Sequence, residues 1–315
     1  MLRTFCATRR LFSTQWKPKT VGVVGLGLMG HGVAQVTAQA GFQVVAVEAK
    51  DEYLATGRKR IESSLGKVIS KNVSKGVYDE AGGKKAYSEV ISRIQFSTKL
   101  EDTRNCDLII EAIAENIDLK LDFYKNLSPL VKKECIFASN TSSLQITQMA
   151  LASGRPQQFV GLHFFNPVQI MKLVEVIRNV NTTDDTFDKV SSFGKQIGKV
   201  TVSCNDTPGF IVNRLLVPYL TQAMGIVDRR DASVADVDVS MQLGAGHPMG
   251  PLHLADYIGL DTLHSILLGW TKNYPEEPNF FVPKCLELKI KAGDLGRKSG
   301  KGFYHWDGEQ RQGPV

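Results

Sequence analysis

No stretch of this sequence approaches the ~18–20 consecutive apolar residues that a membrane-crossing helix needs, which excludes an integral membrane segment. The five cysteines, Cys6, Cys106, Cys135, Cys204 and Cys285, are odd in number and form no CxxC pair. Their spacing fits neither a disulfide framework nor a zinc site, and they read as small buried hydrophobes in a reducing compartment. Internal repeats and low-complexity segments are also missing. So is acid near the start: Glu48 is the first acidic residue, although Arg3, Arg9, Arg10, Lys17 and Lys19 precede it.

That lopsided opening is informative. Residues 1–12 are Arg-bearing, acid-free and Thr-containing, and lack the apolar core of a secretory signal. They read as a mitochondrial presequence, with Arg10-Leu11-Phe12 before Ser13 fitting a matrix-peptidase cut, and predict a matrix location. A merely basic tail is the alternative. Without Arg3, Arg9 and Arg10 the net charge of +6 halves, too mild a basicity to argue for a nucleic-acid partner.

A chain of 315 residues suggests two domains, each able to bury a core. Strand-length apolar runs alternate with helical stretches up to about Cys204: 20–25, 42–48, 93–97, 107–113, 135–139, 159–165 and 172–177. Continuous Val/Ile-rich runs of this kind predict an α/β fold, a Rossmann-type doubly wound sheet covered on both faces, over residues 13–204. Residues 50–92 are too long for a simple crossover and predict an inserted helical hairpin joined near Gly82-Gly83. Its cations outnumber its acids, which suits an anionic ligand as well as a solvated surface. After Cys204 strand-like runs cease, and 205–315 predict an all-α C-terminal domain, with Pro218 expected to kink its first helix.

Gly25-Leu26-Gly27-Leu28-Met29-Gly30 follows an apolar strand and opens a helix expected to begin near Leu28. Gly25 permits the tight turn, Gly27 the close approach of backbone to a pyrophosphate, and Gly30 the packing of helix on sheet. The helix N-terminus adds free N–H groups and the positive end of its dipole. Alone the motif is weak, but Glu48 closes the second strand where an acid binds the ribose 2′-hydroxyl. A carboxylate there repels a 2′-phosphate, so the cofactor expected is NAD rather than NADP.

From Lys19 to the C-terminus the chain resembles the short-chain L-3-hydroxyacyl-CoA dehydrogenase family, mitochondrial type. Six motifs in order carry the likeness: those at Glu111–Asn116, Ala138–Leu144, Gly161–Pro167, Asp206–Arg214, Gly244–Pro251 and Gly296–Tyr304. The resemblance implies NAD-dependent oxidation of L-3-hydroxyacyl-CoA to 3-ketoacyl-CoA, as in fatty-acid β-oxidation, and a homodimer formed through the C-terminal helical domain. By match to the family, His163 is the catalytic histidine and Glu175 its carboxylate partner, with Ser142 and Asn213 near the reacting oxygen. Gly25, Leu26, Gly27, Leu28, Met29, Gly30, Glu48, Glu115, Lys120, Ser142, Asn166 and Lys298 match positions that contact NAD. Ser64, Lys71 and Ser142 match positions that touch the CoA thioester. Two departures stand out: Glu48 where Asp is usual, and His31 where a small residue is usual.

The residues themselves agree with that chemistry. An alcohol is hardly ionised near neutrality, so oxidation needs a base, and histidine suits. His163 ends a strand, and Asn166-Pro167 turns the chain back so that Glu175 can approach it and fix its tautomer. Ser142 and Asn213 can hydrogen-bond the developing carbonyl oxygen, or instead be a helix cap and a buried polar group. Ser64 and Lys71, two helical turns apart, share one face, and Lys71 can meet a CoA phosphate or simply water. Arg214 is expected in an ion pair across domains. The competing readings are a dehydrogenase of a free 3-hydroxy acid or sugar acid, which the basic arm disfavours, and a non-catalytic NAD-binding protein, which has no use for a histidine–acid pair.

Overall fold

The structure is a computed structural model that describes residues 16–315; the expected presequence lies outside the described residues. The chain divides into two compact units, the first ending at Thr207 and the second starting at Pro208.

The first unit is built on strands rich in Val and Ile. Its elements are β1 (Thr20–Val24), α1 (Gly30–Gln39), β2 (Gln43–Val47), α2 (Asp51–Ser74), α3 (Glu80–Ser92), β3 (Ile94–Ser97) and β4 (Leu108–Glu111). Then follow α4 (Ile117–Leu127), β5 (Ile136–Ser139), α5 (Ile146–Ala152), β6 (Phe159–Phe164), β7 (Leu173–Arg178), α6 (Asp184–Gln196) and β8 (Val200–Asn205). They make one eight-stranded sheet of order β3-β2-β1-β4-β5-β6-β7-β8. Every neighbouring pair is parallel except β6 and β7, which run antiparallel. The order reverses direction at β1, between β2 and β4, which is where open α/β sheets leave a crevice for ligands. Val21, Val23, Leu108, Ile110, Val160 and Leu162 are buried from both sides, each stabilising the fold by about 1.5–3 kcal/mol. The edge strand β8 was not among the predicted runs: Thr201 and Ser203 interrupt its apolar residues, and it lies half-exposed.

Two local boundaries differ from expectation. Helix α1 starts at Gly30 rather than near Leu28, and Met29 before it supplies no side-chain cap. The predicted hairpin is present as α2 and α3, but the junction is 75–79, not Gly82-Gly83. Gly76, with φ of +72°, allows the chain to leave α2, and the Asp79 side chain accepts from the Gly82 amide at 2.6 Å to cap α3. Gly83 serves packing instead: a Cβ there would sit 2.8 Å from Val73, so its absence lets α3 lie close on α2.

The second unit is mainly helical: α7 (Val212–Asp228), α8 (Val234–Gly244), α9 (Pro251–Ile258), α10 (Leu260–Asn273) and α11 (Lys284–Ala292). Its core gathers Leu220, Met224, Leu252, Leu263, Trp270 and Phe303. Helix α7 runs through Pro218 without interruption. Strands do not cease after Cys204 as expected, since β9 (Tyr304–Asp307) and β10 (Gln310–Pro314) close the chain as an antiparallel hairpin. Tyr304 and Trp306 alternate with exposed His305 and Asp307, a period too short to read from sequence. Among the described residues no helix is long and apolar enough to cross a membrane.

Candidate active site

The antiparallel pairing of β6 with β7 sets the central geometry. It places His163 directly opposite Glu175 in the strand register, so both side chains emerge on one face. His163 Nδ1 lies 2.7 Å from Glu175 Oε2, with Glu175 wholly buried and His163 5% exposed. An ionised carboxylate only accepts, so with Glu175 charged the hydrogen sits on Nδ1 and Nε2 keeps its lone pair. Phe165 packs beside the imidazole at 4.5 Å between ring centres. The chain then turns through exposed Asn166 and a cis Asn166-Pro167 bond before entering β7.

The glycine turn between β1 and α1 behaves as three separate constraints. Gly25 has φ of +90°, and a Cβ there would come 2.5 Å from the Ala112 carbonyl oxygen. A Cβ at Gly30 would lie 1.7 Å from the Gly25 carbonyl oxygen. Gly27 is different: a Cβ there would meet nothing within 4 Å. Protein atoms crowd the first and third glycines, whereas open space adjoins the second, as a dinucleotide pyrophosphate approaching the backbone requires. Glu48 turns back onto this loop, accepting from the Leu26 amide at 2.7 Å and from Ala49 at 3.0 Å. The residues therefore fit NAD, with a carboxylate where a 2′-phosphate would have to enter. His31 bends towards the same loop, Nδ1 being 2.8 Å from the Gly27 carbonyl oxygen. Burial holds its imidazole below the usual range and Arg60 adds to that, while the Gly27 bond opposes it.

A third group joins the ends of β4 and β5. Lys120 of α4 is 1% exposed, and its Nζ reaches Glu111 Oε1 at 2.5 Å and Glu115 Oε2 at 3.3 Å. Glu115 Oε1 accepts from Thr141 Oγ1 at 2.5 Å and from the Ser142 amide at 3.0 Å. Asn140 Oδ1 accepts from the Phe164 amide at 2.9 Å, coupling this loop to the strand that bears His163. Glu111 and Asn140 were not singled out from sequence. Both stand inside quoted motifs, but only burial and long-range pairing distinguish them from their neighbours.

The remaining predicted residues are distributed as follows. Ser64 is half-buried and Lys71 exposed on α2. Asn213 is in the first turn of α7 and Lys298 in the turn after α11, where it pairs with Asp261 at 2.5 Å; both belong to the second unit. Arg214 corrects an expectation: its partner is Glu277 at 2.5 Å, within the same unit, and its guanidinium also covers Phe280. Thus the structure joins His163 with Glu175, Glu48 with the glycine turn, and Glu115 and Lys120 with Ser142. The thiols of Cys106, Cys135, Cys204 and Cys285 are each pushed up to about 12 by burial, which leaves them unreactive.

Comparison with known proteins adds an independent line. Residues 20–207 match the family described as 3-hydroxyacyl-CoA dehydrogenase, NAD binding domain, and residues 209–306 match its C-terminal domain. The chain is 46% identical to the human hydroxyacyl-coenzyme A dehydrogenase, mitochondrial, with 91% of each chain covered. It is 41% identical to a 3-hydroxybutyryl-CoA dehydrogenase of Bradyrhizobium diazoefficiens, covering 92% of this chain and 96% of the other. Its structure resembles that of (S)-3-hydroxybutyryl-CoA dehydrogenase from Ralstonia eutropha, with TM-score 0.86, 38% identity, and coverage of 92% and 100%. Both family models in order, and relatives spanned nearly end to end, lead to one conclusion: this chain belongs to the 3-hydroxyacyl-CoA dehydrogenase family, an NAD-dependent oxidoreductase acting on a CH–OH group.

Proposed function

We propose that the protein oxidises L-3-hydroxyacyl-CoA to 3-ketoacyl-CoA in mitochondrial fatty-acid β-oxidation, with His163 as the base. The observation that carries this reading is the 2.7 Å contact between His163 Nδ1 and Glu175 Oε2, buried at the C-terminal end of β6. His163 Nε2 takes the proton of the substrate hydroxyl while the C3–H bond breaks and the C3–O bond becomes a carbonyl. Glu175 stabilises the imidazolium that results. Bound NAD supplies the acceptor for the hydride leaving C3.

Ser142 and Asn213 are read as donors to the developing carbonyl oxygen or the thioester beside it. Gly25 to Gly30 and Glu48 hold the adenosine and pyrophosphate half, with Glu115, Asn166 and Lys298 contacting the remainder and the buried Lys120 acting on it through Glu115. Ser64 and Lys71 on α2 are the candidate contacts for CoA, supported by the excess of cations on that arm. The family likeness supports a homodimer through the helical unit. The matrix location rests on the acid-free opening residues and on the mitochondrial name of the human relative.

The test is NADH oxidation with acetoacetyl-CoA by protein starting at Ser13, beside His163→Gln, with NADPH and free acetoacetate as controls. Turnover should need both NADH and the CoA ester, and kcat of the variant should fall about 10^3-fold, the scale of a lost general base. Wild-type protein that binds NADH yet leaves every CoA ester untouched would sink the proposal.

A further inference from the structure

We propose that Glu111 is a positioning residue for this reaction, acting through Lys120 and Glu115 on the loop that carries Ser142. The proposal rests on the functional reading above only in taking Ser142 as a site residue.

Glu111 ends β4 with its carboxylate wholly buried. Four donors converge on it: Lys120 Nζ at 2.5 Å, Ser139 Oγ at 2.7 Å, the Ile113 amide at 2.8 Å and Tyr124 OH at 3.2 Å. Burial, and then the Glu111 charge, push the Tyr124 phenol well above its ordinary range, so it remains a donor. Three of these donors tie the carboxylate in place. The fourth leads outward.

A buried ammonium must be paired, because leaving it alone costs several kcal/mol. Lys120 has almost no exposure, so the fixed Glu111 carboxylate decides where its Nζ sits. That ammonium in turn holds one oxygen of Glu115 at 3.3 Å. Glu115 is partly exposed, with 39% side-chain accessibility, and unheld it would be free to turn towards water. Held, it presents its other oxygen to Thr141 Oγ1, to the Ser142 amide and, at 3.4 Å, to Ser143 Oγ. Each link carries a charge: the Lys120–Glu115 contact is an ion pair at 3.3 Å, and Glu115 accepts the Thr141 hydroxyl at 2.5 Å and the Ser142 amide at 3.0 Å. Glutamine at 111 keeps the volume and an acceptor but not the charge. Lys120 then leans on Glu115 alone and draws its carboxylate off the loop.

The test compares E111Q, E111D and Y124F in the full NAD-loaded enzyme, by steady-state kinetics and by amide hydrogen exchange of the Ser142 loop. Y124F removes a Glu111 donor that otherwise reaches the Ala138 carbonyl in β5, away from the Ser142 loop, and serves as the stability control. E111Q should lower kcat about tenfold or more with KM for the acyl-CoA moved less than about threefold, a positioning effect. Exchange over 140–144 should rise about tenfold, with β4 and β5 unchanged. E111D, keeping the charge, should recover most of kcat, and Y124F should lower the melting temperature without touching either readout. The proposal is overturned if E111Q retains kcat within about twofold, if E111D loses as much as E111Q, or if Y124F matches E111Q with exchange rising throughout β4 and β5. E115Q, on a partly exposed side chain, guards against misfolding of E111Q: unchanged exchange over 140–144 in that variant also overturns the relay. Wild type inactive on every acyl-CoA would sink the functional reading, while the exchange result would still decide the relay.

Discussion

Each unit of this protein buries two carboxylates, and the two pairs are wired differently. In the first unit Glu175 faces an imidazole and Glu111 an ammonium, both groups that can carry a proton or a charge. In the second, Asp238 accepts from the Leu252 and His253 amides and from Tyr304 OH. Asp256 accepts from the Phe303 and Tyr304 amides and from Trp306 Nε1. Of these donors only Tyr304 can titrate, and burial pushes its phenol further up, so all keep one charge state near neutral pH, as does the Arg311 guanidinium 3.8 Å from Asp238. Gly302 lies so close that a Cβ there would sit 2.1 Å from Asp256, so the segment is clamped rather than poised. On the reading proposed above, what sets the functional acids apart is a hydrogen-bonded partner that can take up a proton or carries a charge, not burial alone.

The sharpest way to break this contrast is kinetic. Glu175→Gln should lower kcat about 10^3-fold, because the amide neither fixes the reactive tautomer as well nor stabilises the imidazolium. Folding should be nearly intact by circular dichroism and thermal melting. If kcat falls less than about tenfold, the pair in the first unit is structural after all.

Asp256→Ala should do the reverse. It strands three buried N–H donors and should cost about 3–5 kcal/mol of unfolding free energy, read from urea titration, while the folded fraction keeps its kcat. An equal loss of kcat at full folding would blur the two classes.

The smallest effect is in pH. Burial pushes the Asp256 carboxyl up, outweighing its three donors, so its contribution is full below the ordinary aspartate value of about 3.9 and is lost as pH rises through its higher folded value. Asp107 is the opposite case. Burial opposes ionisation there too, but Lys132 and the amides of Thr20 and Lys19 outweigh it and hold the carboxyl below its ordinary range. Its contribution is present above about 3.9 and is lost as pH falls through the lower folded value. Unfolding free energies of Asp107→Asn and Asp256→Asn, each referred to wild type across about pH 3 to 6, should therefore slope in opposite directions. Parallel slopes would mean that desolvation, not pairing, governs both.

Much of the architecture was legible in chain order. Continuous Val/Ile runs announced a sheet covered on both faces, and the spacing of Gly25, Gly27 and Gly30 before a helix announced the cofactor turn. The His163–Glu175 approach was readable because a turn at Asn166-Pro167 joins two adjacent strands, and a hairpin is local. Harder to read were β8, whose polar residues break its apolar run, and the hairpin at the C-terminus. The α2–α3 junction was misplaced because two adjacent glycines look like a turn, although Gly83 serves helix packing and Gly76 makes the break.

What is local in physics is local in sequence: strand period, turn residues, caps, and the order of motifs that identifies the family. Which charged side chains become buried, and which partners they meet, is not. Nothing near Glu111 in the chain distinguishes it from Glu115, yet one is sealed against Lys120, Tyr124 and Ser139 while the other stays partly in water. Likewise Arg214 met Glu277 within its own unit rather than a partner across the boundary. Those choices were made by tertiary packing, because desolvation and pairing depend on neighbours brought together from distant parts of the chain.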